Sequence, residues 1–205
     1  MLKDILVPLA DSSTDDAAIR FAIEIGRSQD ARVRIIETVY LPPPAIGTPD
    51  PIGLALFNAL LFDAGRPVVV VPPHWRPSGN ACAVVGWKDT PNACRALHAA
   101  IPLLQQVQSV QLVEICRYRD EMDVADTVMP SLIEQLHRWG IAASAIKLAG
   151  QHRRSSEVLV DHANAVKASL VVVGGYGHSR LREWAVGGMT SALLLGAAIP
   201  VLYAH

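Results

Sequence analysis

The feature that most constrains the fold is the alternation of short apolar runs with longer amphipathic segments along the 205-residue chain. The apolar runs are rich in Val, Ile and Leu, and helix-length segments separate them. This alternation is typical of βαβ units, in which parallel strands are covered by helices. Apolar residues make up 51% of the chain and aromatic residues only 5%, which suits thin strands under helices better than an aromatic-rich sandwich. The sequence therefore predicts a globular α/β protein.

The C-terminal part predicts five strands with four helices between them. The strands are expected at residues 83–87, 110–115, 143–148, 169–173 and 200–203. The first helix begins with Thr90 as N-cap and Pro91 in its first turn, and the second ends at Gly140. The other two helices are expected at about residues 155–166 and 188–195.

The N-terminal part repeats the beginning and the end of this plan. Residues 6–12 match residues 84–90 at an offset of 78, and residues 59–62 match residues 192–195 at an offset of 133. The two offsets differ by 55 residues, so the first copy lacks the middle of the second. The missing part falls at the Pro-rich residues 41–51, which suit neither a helix interior nor a central strand. The sequence predicts an abbreviated unit at 1–72, a linker at 73–80 and a complete unit at 81–205.

Composition excludes several classes of function. A net charge of −1 with no run of Lys or Arg argues against binding to nucleic acid or to a membrane surface. No apolar run approaches the ~20 residues that span a bilayer, and no secretion signal follows Met1, so a cytoplasmic location is expected. Cys82, Cys94 and Cys116 are far apart and predict neither a disulfide nor a metal site.

A glycine-rich segment after the fourth of these strands has the character of a phosphate-binding loop. Gly174, Gly175 and Gly177 leave the strand, and Gly187 and Gly188 precede an apolar helix. Glycines let backbone N–H groups approach a ligand, and a helix N-terminus presents unpaired donors to an anion. Such a loop lies where ligands bind in an open parallel sheet, at the carboxyl ends of the strands. A flexible turn is the alternative reading of the same glycines.

The spacing Gly174-x2-Gly177-x9-Gly187, followed by the apolar residues 192–195 and a closing strand at 199–202, resembles the G-x2-G-x9-G-[S/T] motif of the universal stress protein family. The resemblance covers residues 80–205 as a whole domain and residues 1–72 as a domain without its middle. It implies a doubly wound, five-stranded Rossmann-like sheet of the adenine-nucleotide alpha hydrolase-like type. It also implies binding of ATP or a related adenine nucleotide in some members, with Mg²⁺ as a candidate ion, and pairing of domains through their last strands.

Two positions depart from the family pattern. Gly188 stands where the motif has a phosphate-binding Ser or Thr, and Thr190 is a candidate replacement. Lys88 stands where nucleotide-binding members carry Asp, and the acid is displaced to Asp89. Weak binding of nucleotide in the C-terminal unit is therefore expected. The candidate nucleotide-binding residues are Trp87, Lys88, Asp89, Ile115, Gly174, Gly177, His178, Gly187, Gly188, Met189 and Thr190.

Three functions remain open on the sequence. The leading one is a non-catalytic, nucleotide-binding stress-response protein, because no nucleophile, base and orienting group occur at a useful spacing. The second is an interaction module without nucleotide, which self-associates through its terminal strands, at residues 68–71 and 200–203, as a dimer or as a pseudo-dimer within one chain. The third is slow ATP hydrolysis, for which Asp89 is the candidate metal ligand.

Overall fold

The computed structural model describes residues 2–9, 15–37, 55, 57–63, 65–73, 75–76, 82–118, 128–175 and 188–205. The strands are β1 (Asp4–Leu9), β2 (Arg32–Glu37), β3 (Val68–Val70), β4 (Cys82–Trp87), β5 (Ser109–Cys116), β6 (Ala143–Ala149), β7 (Leu170–Gly174) and β8 (Val201–Ala204). The α-helices are α1 (Asp15–Gln29), α2 (Pro91–Leu104), α3 (Val128–Arg138), α4 (Ser155–Ala165) and α5 (Gly188–Gly196). A π-helical turn, Ala59–Asp63, precedes β3.

The C-terminal sheet is doubly wound, as the sequence predicts. Its strands lie in the order β3-β8-β7-β4-β5-β6, and the five strands from β4 to β8 pair in parallel. The chain winds outward from β4 through β5 to β6, then returns to the other side of β4 for β7 and β8. The strand order therefore reverses between β4 and β7, which defines the switch point of the fold.

The sheet has six strands rather than five, because the N-terminal part contributes one. Strand β3 pairs antiparallel with β8, with Val69 opposite Leu202. An open edge of β8 would leave backbone N–H and C=O groups unpaired, and β3 satisfies them. The prediction that the two terminal strands associate is confirmed in its intrachain form.

Two apolar layers cover the sheet. On one face, α2 and α3 pack over alternate residues of β4 and β5, such as Val85 and Leu112. On the other face, Leu159 of α4 and Leu193 of α5 pack over the intervening positions, such as Val84. Helices on both faces are what a parallel sheet requires. We call these the α2–α3 face and the α4–α5 face.

The N-terminal part packs against this domain through two groups of side chains. Gln29 Nε2, at the end of α1, donates to the carbonyl oxygen of Pro102 in α2 at 2.8 Å. Phe57 and Leu61 are buried on the α4–α5 face, where the Phe57 ring meets the Tyr203 ring edge to face at 5.1 Å. The N-terminal part therefore buries apolar side chains against the C-terminal sheet.

The N-terminal part departs from the predicted plan in two ways. Strands β1 and β2 form a separate two-stranded parallel sheet, and β3 joins the other sheet. The predicted final helix is a π-helical turn that closes with Arg66 N donating to Leu60 O at 3.2 Å, and Gly65 follows it with a φ of 56°. A glycine in this left-handed conformation ends a helix readily. The predicted join at residues 41–51 lies outside the described residues.

Candidate functional site

The carboxyl ends of β4 and β7 lie side by side at the switch point, since Gly86 pairs with Val173 one residue before each strand ends. The chain leaves β4 toward α2 and leaves β7 toward the glycine-rich segment. In doubly wound sheets the crevice between two such diverging connections is the usual ligand site. The switch point therefore places the end of β4, which is followed by Lys88 and Asp89, beside the end of β7 at Gly174.

On the α2–α3 face the crevice is closed by direct packing of backbone on backbone. A Cβ at Gly174 would lie 2.7 Å from Ala93 N and 2.7 Å from the carbonyl carbon of Asn92, so only glycine fits between β7 and α2. The N-terminus of α2 is capped as predicted, with Ala93 N donating to Thr90 Oγ1 at 3.3 Å. Gly174 thus allows a helix to pack closely on a strand, which is a structural role of glycine in such folds.

Asn92 adds a polar contact on this side that sequence reasoning missed. Its Nδ2 donates to the carbonyl oxygen of Gly175 at 2.7 Å and lies 3.1 Å from His205 Nδ1. Its Oδ1 accepts from Arg95 Nη1 at 2.7 Å. The network joins the start of α2 to the end of β7. No local pattern marks Asn92, because its partners are 83 and 113 residues away in the chain.

Three of the predicted residues lie on the α4–α5 face or in the first turn of α5, which covers it. Gly86 faces Leu159 of α4, and Lys88 follows directly after the end of β4. Ile115 and Met189 are half-buried against the apolar cluster of this face. Thr190 lies in the first turn of α5 and is 2% exposed. Lys88 and Asp89 are both exposed at the mouth of the crevice.

The remaining predicted residues lie elsewhere or outside the described part of the chain. Trp87 is 7% exposed and packs with α2 on the opposite, α2–α3 face. Gly188 begins α5. Gly177, His178 and Gly187 lie outside the described residues.

The basic loop after β6 is engaged by acidic side chains of α4. Arg153 Nη2 donates to Asp161 Oδ2 at 2.6 Å, and Arg153 Nε lies 3.9 Å from Glu157 Oε2. The hydrogen bond and the charge of Asp161 raise the pKa of Arg153 above its ordinary value. The His152 ring lies against Tyr118, two strands away from the switch point. Of the described basic residues, Lys88 follows directly after the end of β4.

Among the described residues, no group of three or more His, Cys, Asp or Glu side chains is placed to hold a metal ion. A shallow polar depression formed by Lys3, Asp4 and Asp30 lies at the amino ends of β1 and β2, away from the switch point. No helix in the described part of the chain has the length and apolar character to cross a membrane.

Comparison with known proteins agrees with this architecture. The model of the universal stress protein family matches residues 84–205. A universal stress protein from Archaeoglobus fulgidus DSM 4304 aligns at a TM-score of 0.56 and 12% identity, covering 99% of this chain and 86% of its own. A second such structure, from Pseudomonas aeruginosa UCBPP-PA14, aligns at a TM-score of 0.52 and 14% identity, covering 98% and 81%. No curated protein matches the sequence.

The strand order defines a doubly wound α/β protein of the Rossmann-like type, with a switch point between β4 and β7. The family match covers more than half of the chain. The chain belongs to the universal stress protein family. Membership in this family supports a role in the response to stress.

Proposed function

We propose that the protein is a non-catalytic member of the family that binds ATP or a related adenine nucleotide weakly at the switch point of the C-terminal sheet. The observation that carries the proposal is that Ile115 and Met189, in the first turn of α5, pack against the same apolar cluster, while Lys88 is exposed directly after the end of β4. A lysine can contact phosphates, an aliphatic side chain can cover a base, and the N-terminus of a nine-residue helix favours an anion.

The expected affinity follows from what the site lacks. With Gly188 in place of Ser or Thr, the site lacks one hydrogen bond from a hydroxyl to a charged phosphate. Such a bond contributes about 1.5–3 kcal/mol. Binding is thereby weakened by roughly ten- to a hundredfold relative to a site with Ser or Thr at this position. The backbone amides of Gly188, Met189 and Thr190 remain as donors, because a helix N-terminus presents them whatever the side chain. Mg²⁺ would enter with the nucleotide as its counter-ion.

Titration of ATP with Mg²⁺ by calorimetry tests this function. The wild type is expected to bind ATP weakly, and Gly187→Val to abolish binding, since a branched Cβ blocks close approach of the motif backbone to a phosphate. Lys88→Ala is expected to weaken binding severalfold, and the effect should shrink at high salt. Lys3→Ala is the matched control, because Lys3 is an exposed lysine at the amino end of β1. Equal affinity for ATP in the wild type and Gly187→Val would contradict the nucleotide function and favour the interaction module.

We also propose that residues 1–72 are an abbreviated unit of the same family, joined through residues 73–80 to the complete unit at 81–205. The repeat in the sequence supports this division, as does the nearly complete coverage of the chain by two longer solved structures of the family. The role of the abbreviated unit would be to complete the sheet through β3.

A further inference from the structure

We propose that Ser156, in the first turn of α4, is a phosphate-binding residue of the switch-point crevice and supplies the hydroxyl that the glycine-rich segment lacks at Gly188. The inference rests on the proposed function, because it assigns a further ligand to the same site. Ser156 belongs to neither of the two sequence segments that meet at the switch point, and the family motif does not include it.

The first observation is a buried hydroxyl group without a hydrogen-bond partner among the described residues. Ser156 is 2% exposed, and its Oγ has no hydrogen-bond partner in the described structure. Leaving a buried polar group unsatisfied costs about 1–3 kcal/mol, so such groups are rare in folded proteins and often mark a site that a ligand completes. Arg154, the N-cap residue of α4, makes no side-chain cap hydrogen bond either.

The second observation is the direction in which Ser156 faces. Residues three and seven positions apart share one face of a helix, so Ser156 lies in line with Leu159 and Ala163. Both of these residues are fully buried on the α4–α5 face of the sheet. Ser156 therefore faces the sheet, although it is polar.

The third observation is the level of Ser156 along the strands. A Cβ at Gly86 would lie 2.9 Å from Leu159 Cδ2, so Leu159 packs directly on β4 one residue before the strand ends. Helix α4 runs antiparallel to β4, and Ser156 is nearer its start by three residues, or about 4.5 Å at 1.5 Å per residue. This rise carries Ser156 past Gly86 to the carboxyl edge of β4, at the level of Lys88.

The fourth observation is the neighbouring helix. Helices α4 and α5 pack against each other, and both begin at the carboxyl edge of the sheet, because each follows a parallel strand. Their first turns contain two buried hydroxyl-bearing residues, Ser156 and Thr190. Two adjacent helix N-termini, with a lysine at the mouth of the crevice, favour the binding of a phosphate group.

The test compares Ser156→Ala with Ser155→Ala, a control in the same helical turn with an exposed side chain. The probes are ATP with Mg²⁺ and pyrophosphate with Mg²⁺, each titrated by calorimetry. Ser156→Ala is expected to weaken ATP binding by roughly ten- to a hundredfold, the effect of losing one hydrogen bond to a charged group. Without ligand, its thermal midpoint should stay the same or rise by about 2–4 °C, since a costly unpaired hydroxyl is removed. Ser155→Ala should change neither quantity.

The combination of weaker binding with unchanged or higher stability separates a ligand contact from a structural role, for which stability would fall. Gly188→Ser provides a second check, because a restored motif hydroxyl should strengthen ATP binding more in the Ser156→Ala background than in the wild type. If Gly188→Ser raised the affinity for ATP equally in both backgrounds, Ser156 would not be acting in place of the motif hydroxyl.

The two probes distinguish failure of this inference from failure of the proposed function. Undiminished ATP binding by Ser156→Ala overturns the role of Ser156 and leaves the nucleotide function intact. Binding of pyrophosphate but not ATP, weakened by Ser156→Ala, overturns the nucleotide function and supports Ser156 as a phosphate ligand. A wild type that binds neither probe overturns both.

Discussion

Replacing Gly174 with alanine is expected to lower the free energy of unfolding by about 3 kcal/mol, the upper end of the usual cost of overpacking a core. The added Cβ would lie 2.7 Å from both Ala93 N and the carbonyl carbon of Asn92, which are backbone atoms. A side chain could rotate away, but a helix backbone can give only if α2 moves as a unit. Urea-induced unfolding, followed by tryptophan fluorescence, measures the change.

Gly175→Ala is the matched control for this prediction. The added Cβ would lie 3.0 Å from Leu61 Cδ2, at the end of a flexible side chain, and its nearest backbone atom would be Ala204 O at 3.5 Å. We expect a loss below about 1 kcal/mol, because Leu61 can adjust its rotamer at small cost. Similar losses in the two variants would show that the closeness of α2 to β7 is not what requires glycine at 174.

The second large effect is expected from Leu61→Ala. Leu61 is 1% exposed and packs in the same apolar cluster as Tyr203 and Val201, although it comes from the N-terminal part of the chain. Truncating a fully buried leucine costs about 2–5 kcal/mol, which includes the cavity that it leaves. If the N-terminal part stabilises the C-terminal domain, calorimetry should show this loss in a single cooperative transition.

Leu6→Ala is the corresponding control, since Leu6 also lies in the N-terminal part but is 50% exposed. Its truncation should change the stability by less than about 0.5 kcal/mol. A normal midpoint for the main transition in Leu61→Ala would mean that the π-helical turn docks on the domain without stabilising it. The proposed role of the abbreviated unit would then fail, whatever the outcome of nucleotide titration.

Local periodicity was sufficient to predict the elements of the C-terminal domain. All five strands and four helices lie within two residues of the bounds that were predicted for them. For α3 the sequence predicted an end but no start. Thr90 and Pro91 mark the start of α2 correctly because capping depends on atoms within one helical turn. The parallel arrangement followed from the same alternation, since strands joined through helices must run in the same direction.

Only part of the site could be predicted in this way. The glycine-rich segment was predicted from its own residues, and Lys88 from its alignment with the family pattern. Gly174 was predicted to approach a ligand, and the structure shows it in contact with the backbone of α2. Both roles require a residue without a Cβ, so the sequence alone does not distinguish them. Trp87 was also a predicted site residue, and the structure buries it on the α2–α3 face with α2.

The sequence by itself determined the class of fold and the glycine-rich motif, because these depend on residues that are close in the chain. Tertiary structure decided three things: that β3 completes the sheet beside β8, that Asn92 binds the residue after β7, and that the hydroxyl of Ser156 is buried in the helix that packs on β4. Each joins segments more than 60 residues apart in sequence. The separation is smallest between Ser156 and β4 and largest between Val68 and Tyr203. Such pairings depend on which surfaces remain uncovered once the sheet has formed, and local periodicity carries no information about them.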